Sequence, residues 1–165
     1  MRTFPIGRQT FGGVPFVIGE GSKSIIVLAS DRRPGADKMP EEVTIPVGYP
    51  VEGFYFLHDF AFAGTGLSGL YEIQYADGGM AQILLYYGEN SRDWVDAPGT
   101  LAREKGTTSA VAWTGSCVLY APVAVYRMLW VNPRPGVPVK AVRFANPARA
   151  TVPILLGLTA VVSQQ

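Results

Sequence analysis

Leu70-Tyr71-Glu72-Ile73-Gln74-Tyr75-Ala76-Asp77-Gly78-Gly79-Met80-Ala81-Gln82-Ile83-Leu84-Leu85-Tyr86-Tyr87 is the stretch that decides the fold. Tyr71, Ile73 and Tyr75 fall on one face of an extended chain, and Glu72 and Gln74 on the other. That period of two belongs to a strand with one face buried. Asp77-Gly78 follows at once, and Met80 to Tyr87 reads as a second strand. Asp-Gly between two such runs predicts a hairpin closed by a type I′ turn, which needs positive φ at both central residues.

The pattern extends in both directions. Ser24–Ala29 is a short β-branched run. Val43, Ile45 and Val47 alternate with Glu42, Thr44 and Pro46. Gly53–Phe60 is aromatic on both faces, as suits a strand covered on both sides. Further strands are expected at Ser109–Trp113, Cys117–Tyr120, Val123–Val131, Val137–Ala145 and Val152–Val162. Asn132-Pro133-Arg134-Pro135-Gly136 and Asn146-Pro147 break the chain between them, and Pro122 marks a bend or a change of sheet. No segment carries the apolar spacing and caps of a helix. Gly88–Thr108 is the longest irregular stretch, longer than most connections in a compact domain.

About ten short strands with frequent turn signals predict an all-β sandwich or barrel. Only one pair is joined by an obvious two-residue turn. A jelly-roll β-sandwich of two antiparallel sheets is therefore expected rather than an up-and-down barrel. No fixed-period repeat supports a propeller or β-helix, and no linker interrupts residues 1–165, which read as one domain.

Composition removes whole classes of function. Of the 165 residues, 48% are apolar and 16% charged, so apolar burial can offset chain entropy and disorder is excluded. The formal charge of +1 provides no long-range field, so neither nucleic acid nor an anionic membrane is an expected partner. His58 is the only histidine and Cys117 the only cysteine. A multi-histidine metal site, an internal disulfide and a thiolate cluster are thus all ruled out. The start Met1-Arg2-Thr3-Phe4-Pro5 has no apolar run behind it and reads as no signal peptide. The apolar stretch Val152–Val162 is about half a membrane span.

Several motifs carry less than they promise. Gly64-Thr65-Gly66-Leu67-Ser68-Gly69 matches the dinucleotide pattern literally, but a strand rather than a helix is expected after it, so a loop is the better reading. Ser68 lies outside any G-x-S-x-G elbow. His58 beside Asp59 reads as a partly buried histidine bonded to backbone or to Asp59; a triad would need partners gathered by the fold. Glu72, Glu89, Asp93 and Asp96 could supply a carboxylate pair for glycoside hydrolysis, yet no spacing selects two of them. No cofactor is expected. A structural calcium stays open, with Asp31, Asp37, Glu89 or Asp93 as oxygen donors and no EF-hand pattern present.

The aromatic residues point further. Trp94 ends Gly88-Glu89-Asn90-Ser91-Arg92-Asp93-Trp94, inside the polar loop. Either it folds back as a lid on the core, or it offers a flat face to a sugar ring. In the second case Glu89, Asn90, Arg92 and Asp93 supply carboxylate, amide and guanidinium groups for the hydroxyls. Trp113 could provide a second face, whereas Trp130 reads as core.

Val14-Pro15-Phe16, Tyr55-Phe56-Leu57-His58, Tyr71 to Gly78, Gly88-Glu89-Asn90 with Asp93-Trp94, and Trp130 to Gly136 form an ordered set. Together they resemble the galactose-binding-domain-like β-sandwich accessory modules that accompany catalytic domains in bacterial polysaccharide-degrading enzymes. The resemblance spans about Phe11 to Val162. It implies a non-catalytic carbohydrate-binding module of a glycoside hydrolase, excised from a larger secreted protein, with polysaccharide or oligosaccharide and the attached catalytic domain as partners. It also implies that the loops around Asn90–Trp94 and Trp113 lie toward one end or face, sugar being held there or on the concave sheet. An interaction module is the alternative, with Met80–Tyr87 as its flat exposed strand. A small jelly-roll hydrolase or lyase is a third reading.

Overall fold

The computed structural model describes residues 4–21, 24–64, 66–96, 98, 101, 106–117, 119–120 and 122–163. Its strands are β1 (Gly7–Phe11), β2 (Val14–Ile18), β3 (Ile26–Val27), β4 (Glu42–Tyr49), β5 (Gly53–Ala61), β6 (Leu67–Tyr75), β7 (Met80–Tyr86), β8 (Thr107–Gly115), β9 (Val123–Val131), β10 (Val139–Ala145) and β11 (Val152–Val161). A 3-10 turn spans Ala36–Lys38.

A four-stranded sheet has the order β4-β10-β6-β7, and a five-stranded sheet the order β3-β11-β5-β9-β8. All their pairings are antiparallel. The chain crosses between the sheets repeatedly, and with β8 set aside these orders are those of a jelly roll. The fold is thus the expected all-β sandwich, with β8 added at one edge and the β1–β2 hairpin as a separate piece.

Alternation along β5 explains why it is aromatic on both faces. Phe54, Phe56 and Phe60 point between the sheets into the main core. Phe56 stacks on Tyr71 of β6 with centroids 4.0 Å apart, and Tyr71 on Phe144 of β10 at 4.7 Å. Tyr55 and Leu57 point the other way, under the β1–β2 hairpin, where Phe11, Phe16 and Ile18 cover them. The hairpin turns at Gly12 and Gly13, both at positive φ, and Arg127 donates to the carbonyls of Phe11 and Gly12.

Local details depart from expectation. The Asp77-Gly78 hairpin exists, but only Gly78 takes positive φ. The amide of Gly78 donates to the Tyr75 carbonyl and that of Tyr75 to the Gly79 carbonyl, so the connection is a type I turn followed by a left-handed glycine. Asp77 prefers this form because its carboxylate accepts from Gly79 N at 3.0 Å and pairs with Arg134. Ser24–Ala29 yields only a two-residue strand. Instead of a strand, Cys117 and Tyr120 close a turn through Cys117 N to Tyr120 O; Val118 lies outside the described residues. As expected, no helix follows the glycine motif: Gly64 and Gly66 precede β6, but Leu67, Ser68 and Gly69 already belong to that strand rather than to a loop; Thr65 lies outside the described residues.

The two Asn-Pro breakers do more than interrupt strands. Asn132 is buried; its amide donates to Val51 O at 2.8 Å, and its oxygen accepts from Tyr75 Oη at 2.6 Å and Arg134 N at 2.9 Å. Asn146 donates to the carbonyls of Ala29 and Thr151. Removing Asn132 leaves buried partners unpaired, each worth about 1–3 kcal/mol. Urea unfolding of Asn132→Ala should therefore show a loss of roughly 2–4 kcal/mol. Thr44→Ala, on the exposed sheet face, should stay within about 0.5 kcal/mol of the parent chain.

Candidate functional site

The site begins where β5 and β9 part. Their ladder runs from Gly53↔Val131 to His58↔Tyr126 and then ends. Beyond it, the loop after β7 enters the gap. Trp94 N donates to Phe60 O at 2.9 Å, and Ala124 N donates to Trp94 O at 3.0 Å. Asp93 and Phe60 form a parallel bridge. The backbone of Asp93-Trp94 thus serves as a short additional strand between β5 and β9.

Two side chains brace this insertion. Asn90 is fully buried; its oxygen accepts from Tyr86 N at 2.9 Å and its amide donates to Leu84 O at 2.8 Å. Both its hydrogen-bonding ends are spent on holding the turn. The Asp93 carboxylate accepts from Ala63 N at 2.9 Å and Val95 N at 3.2 Å. Burial nonetheless raises its pKa, against the lowering effect of those amides.

Beside the insertion lies a half-open cavity of about 510 Å³, within the ~300–1,000 Å³ range of small-molecule sites. Its floor is Ala61, Val152 and Ile154, on the outer face of the five-stranded sheet, Ile154 also packing against the hairpin's cluster. Trp94, Val95, Phe62 and Tyr120 form the walls, with Arg33 and Asp93 also on the lining. The rings of Trp94 and Tyr120 meet edge to face, centroids 5.9 Å apart. Trp94 is half-buried and Tyr120 exposed. Phe62 sits at φ 59°, a left-handed conformation that costs a bulky residue energy and is typically retained at functional positions.

Of the residues expected at a site, the structure brings Asp93 and Trp94 to this cavity. Glu89 is exposed and Arg92 half-buried, and neither lines it. Trp113 is elsewhere: it packs edge-on against Phe4 at 5.1 Å, and its ring covers Gly115. Trp130 is core, stacked on Phe54. Arg33, Phe62 and Tyr120 carried no sequence signal beyond lying at the ends of extended runs.

Among the described residues no group of three or more His, Cys, Asp or Glu side chains could hold a metal. Asp31 pairs with Arg149, and Asp96 accepts from Tyr87 Oη at 2.5 Å. Glu72 pairs with Arg143 on the outer face of the four-stranded sheet.

His58 is fully buried rather than partly so, and its partner is not Asp59. Its Nε2 faces the Asn90 carbonyl at 3.3 Å and its Nδ1 the Tyr71 hydroxyl at 3.1 Å. A carbonyl can only accept, so Nε2 carries the proton and Nδ1 accepts from Tyr71. Burial lowers the His58 pKa to about 4, opposed by the Asn90 carbonyl. Asp59 points to the opposite face of β5, and its Oδ2 is buried without a hydrogen-bond partner. Burial first, then Asp93 and Asp96, raise its pKa well above the usual carboxylate range, against a bond from Phe60 N.

Comparison with protein families, with curated proteins and with solved structures finds no match to this chain. Fold and site define a jelly-roll β-sandwich with an aromatic-walled cavity at one end of its five-stranded sheet.

The adjacent pair His58 and Asp59 gives a pH test. Unfolded His58 takes up a proton as pH falls through 6.5, while the folded chain resists until about 4. Its stabilisation is complete above the first value and lost on descent to the second, a difference of roughly 3 kcal/mol. Asp59 acts with the opposite sign: unfolded it ionises near 3.8, while the folded chain keeps the proton, so stability falls as pH rises. Urea unfolding between pH 4 and 6.5 should show Asp59→Asn gaining stability with pH more steeply than the parent chain. His58→Gln should shift the slope the other way. Parallel profiles for all three would contradict the assignment.

Proposed function

We propose that this chain is a non-catalytic carbohydrate-binding module of the galactose-binding-domain-like kind, holding an attached glycoside hydrolase domain on polysaccharide outside the cell. The observation that carries the reading is the treatment of Trp94. Its backbone is clamped on both sides by Phe60 and Ala124, yet its ring stands half-buried at the wall of an open cavity. An indole held this way loses little conformational entropy when a pyranose face stacks on it. The non-catalytic reading draws support from Asp93, the one carboxylate on the lining among the described residues, whose oxygens are engaged by backbone amides. A module that binds weakly at one site still raises the effective concentration of its attached enzyme.

A second reading rests on a specific feature. Leu119 is 79% exposed and Phe62 55%, next to Tyr120 and the cavity. Such an apolar rim would also suit a neighbouring catalytic domain against which the module packs.

Affinity electrophoresis in gels loaded with a panel of polysaccharides, with and without a calcium chelator, separates the two. Carbohydrate binding predicts retardation in at least one gel, lost on Trp94→Ala, with Trp113→Ala still retarded but melting at lower temperature. A chain that migrates freely in every gel, and self-associates on sizing, would favour the interaction reading.

A further inference from the structure

Among the described residues, Arg33 is the only cationic side chain on the cavity lining. It makes no hydrogen bond or ion pair with any described residue, although the other arginines of its neighbourhood are engaged. Arg32 donates to Ala150 O at 3.3 Å. Arg149 pairs with both Asp31 at 2.8 Å and Glu41 at 2.7 Å. These contacts, with Asp31 N to Arg149 O and Ser30 Oγ to Arg149 O, tie the Arg33 loop to the segment leading into β11. Arg149 achieves this at φ 52°.

Phe62 and Arg149 are the only non-glycine residues at positive φ among those described. One lines the cavity and the other fastens the loop that presents Arg33. Strain is therefore concentrated on the two supports of a single site. The nearby acids leave the guanidinium unpaired. Asp93 shares the lining but is held by backbone amides, Asp96 is held by Tyr87, and neither forms an ion pair with Arg33. An aromatic wall, an apolar floor and one uncommitted guanidinium match a ring that bears an anionic substituent.

We propose that the cavity selects an anionic sugar unit, its ring face on Trp94 and its carboxylate or sulfate on Arg33. The inference rests on the carbohydrate reading above and names the class of sugar. A guanidinium meets a carboxylate in a two-pronged geometry that an ammonium cannot reproduce.

The test uses affinity electrophoresis in gels of polygalacturonate, a sulfated galactan and a neutral galactan. Retardation should be strongest in one of the anionic gels, and that gel identifies the anion. Arg33→Gln should lower affinity there roughly tenfold, the scale of one charge-assisted contact, a larger loss than in the neutral gel, with the melting temperature unchanged. Arg33→Lys should recover binding to the sulfated polymer better than to polygalacturonate. High salt should remove the excess affinity for the anionic polymer. Equal retardation in all three gels, or an Arg33→Gln variant that binds like the parent, overturns the anionic selectivity and leaves the carbohydrate reading intact. Free migration in all three gels, extended to the wider panel, overturns both.

Discussion

Two backbone hydrogen bonds organise the cavity end of this molecule: Trp94 N to Phe60 O and Trp94 O from Ala124 N. Strands β5 and β9 diverge after His58↔Tyr126, and diverging strands expose unpaired amides and carbonyls. Buried backbone groups of that kind must find partners. Here a loop supplies them, so the loop is fixed wherever the sheet opens. The position of Trp94 is a consequence of that requirement, as is the cavity bounded by Trp94, Ala61 and Ile154.

The supports around this insertion form one connected set. Tyr71 stacks between Phe56 and Phe144 in the core and donates to His58; His58 donates to the Asn90 carbonyl; Asn90 holds the turn that delivers Asp93. Core packing is thereby transmitted to the rim of the cavity through buried polar groups. Each is satisfied along this path, and a satisfied buried network rigidifies what it touches. Asp59 is the exception. It is buried beside the cavity floor, across from Ile154, with one oxygen unpartnered, and it opposes His58 in its effect on stability.

Much of the fold was legible because its signal is local. Alternation in β4, β6 and β7, the double-sided apolarity of β5, and the breakers Asn132-Pro133 and Asn146-Pro147 each sit within a few neighbouring residues. The β1–β2 hairpin went unseen because Gly7–Phe11 and Val14–Ile18 are short and lean for their stability on Leu57, Val125 and Leu156, distant in sequence. Cys117–Tyr120 misled in the opposite sense: among its described residues none joins a strand, and Cys117 N bonds to Tyr120 O instead. Asn90 and Asp93 drew notice as polar groups in a loop; only the structure shows that their hydrogen bonds run to backbone and that Asp93 also lines the cavity.

By itself, then, the chain determined an all-β sandwich, its principal strands and the tryptophans worth asking about, since hydrophobic periodicity and turn chemistry act over short range. Only the tertiary structure decided that Trp94, Phe62, Tyr120 and Arg33 share one cavity while Trp113 lies elsewhere, against Phe4. Those placements depend on which strands pair and where a pairing stops. That is settled by contacts between residues far apart in the chain, which no local pattern encodes.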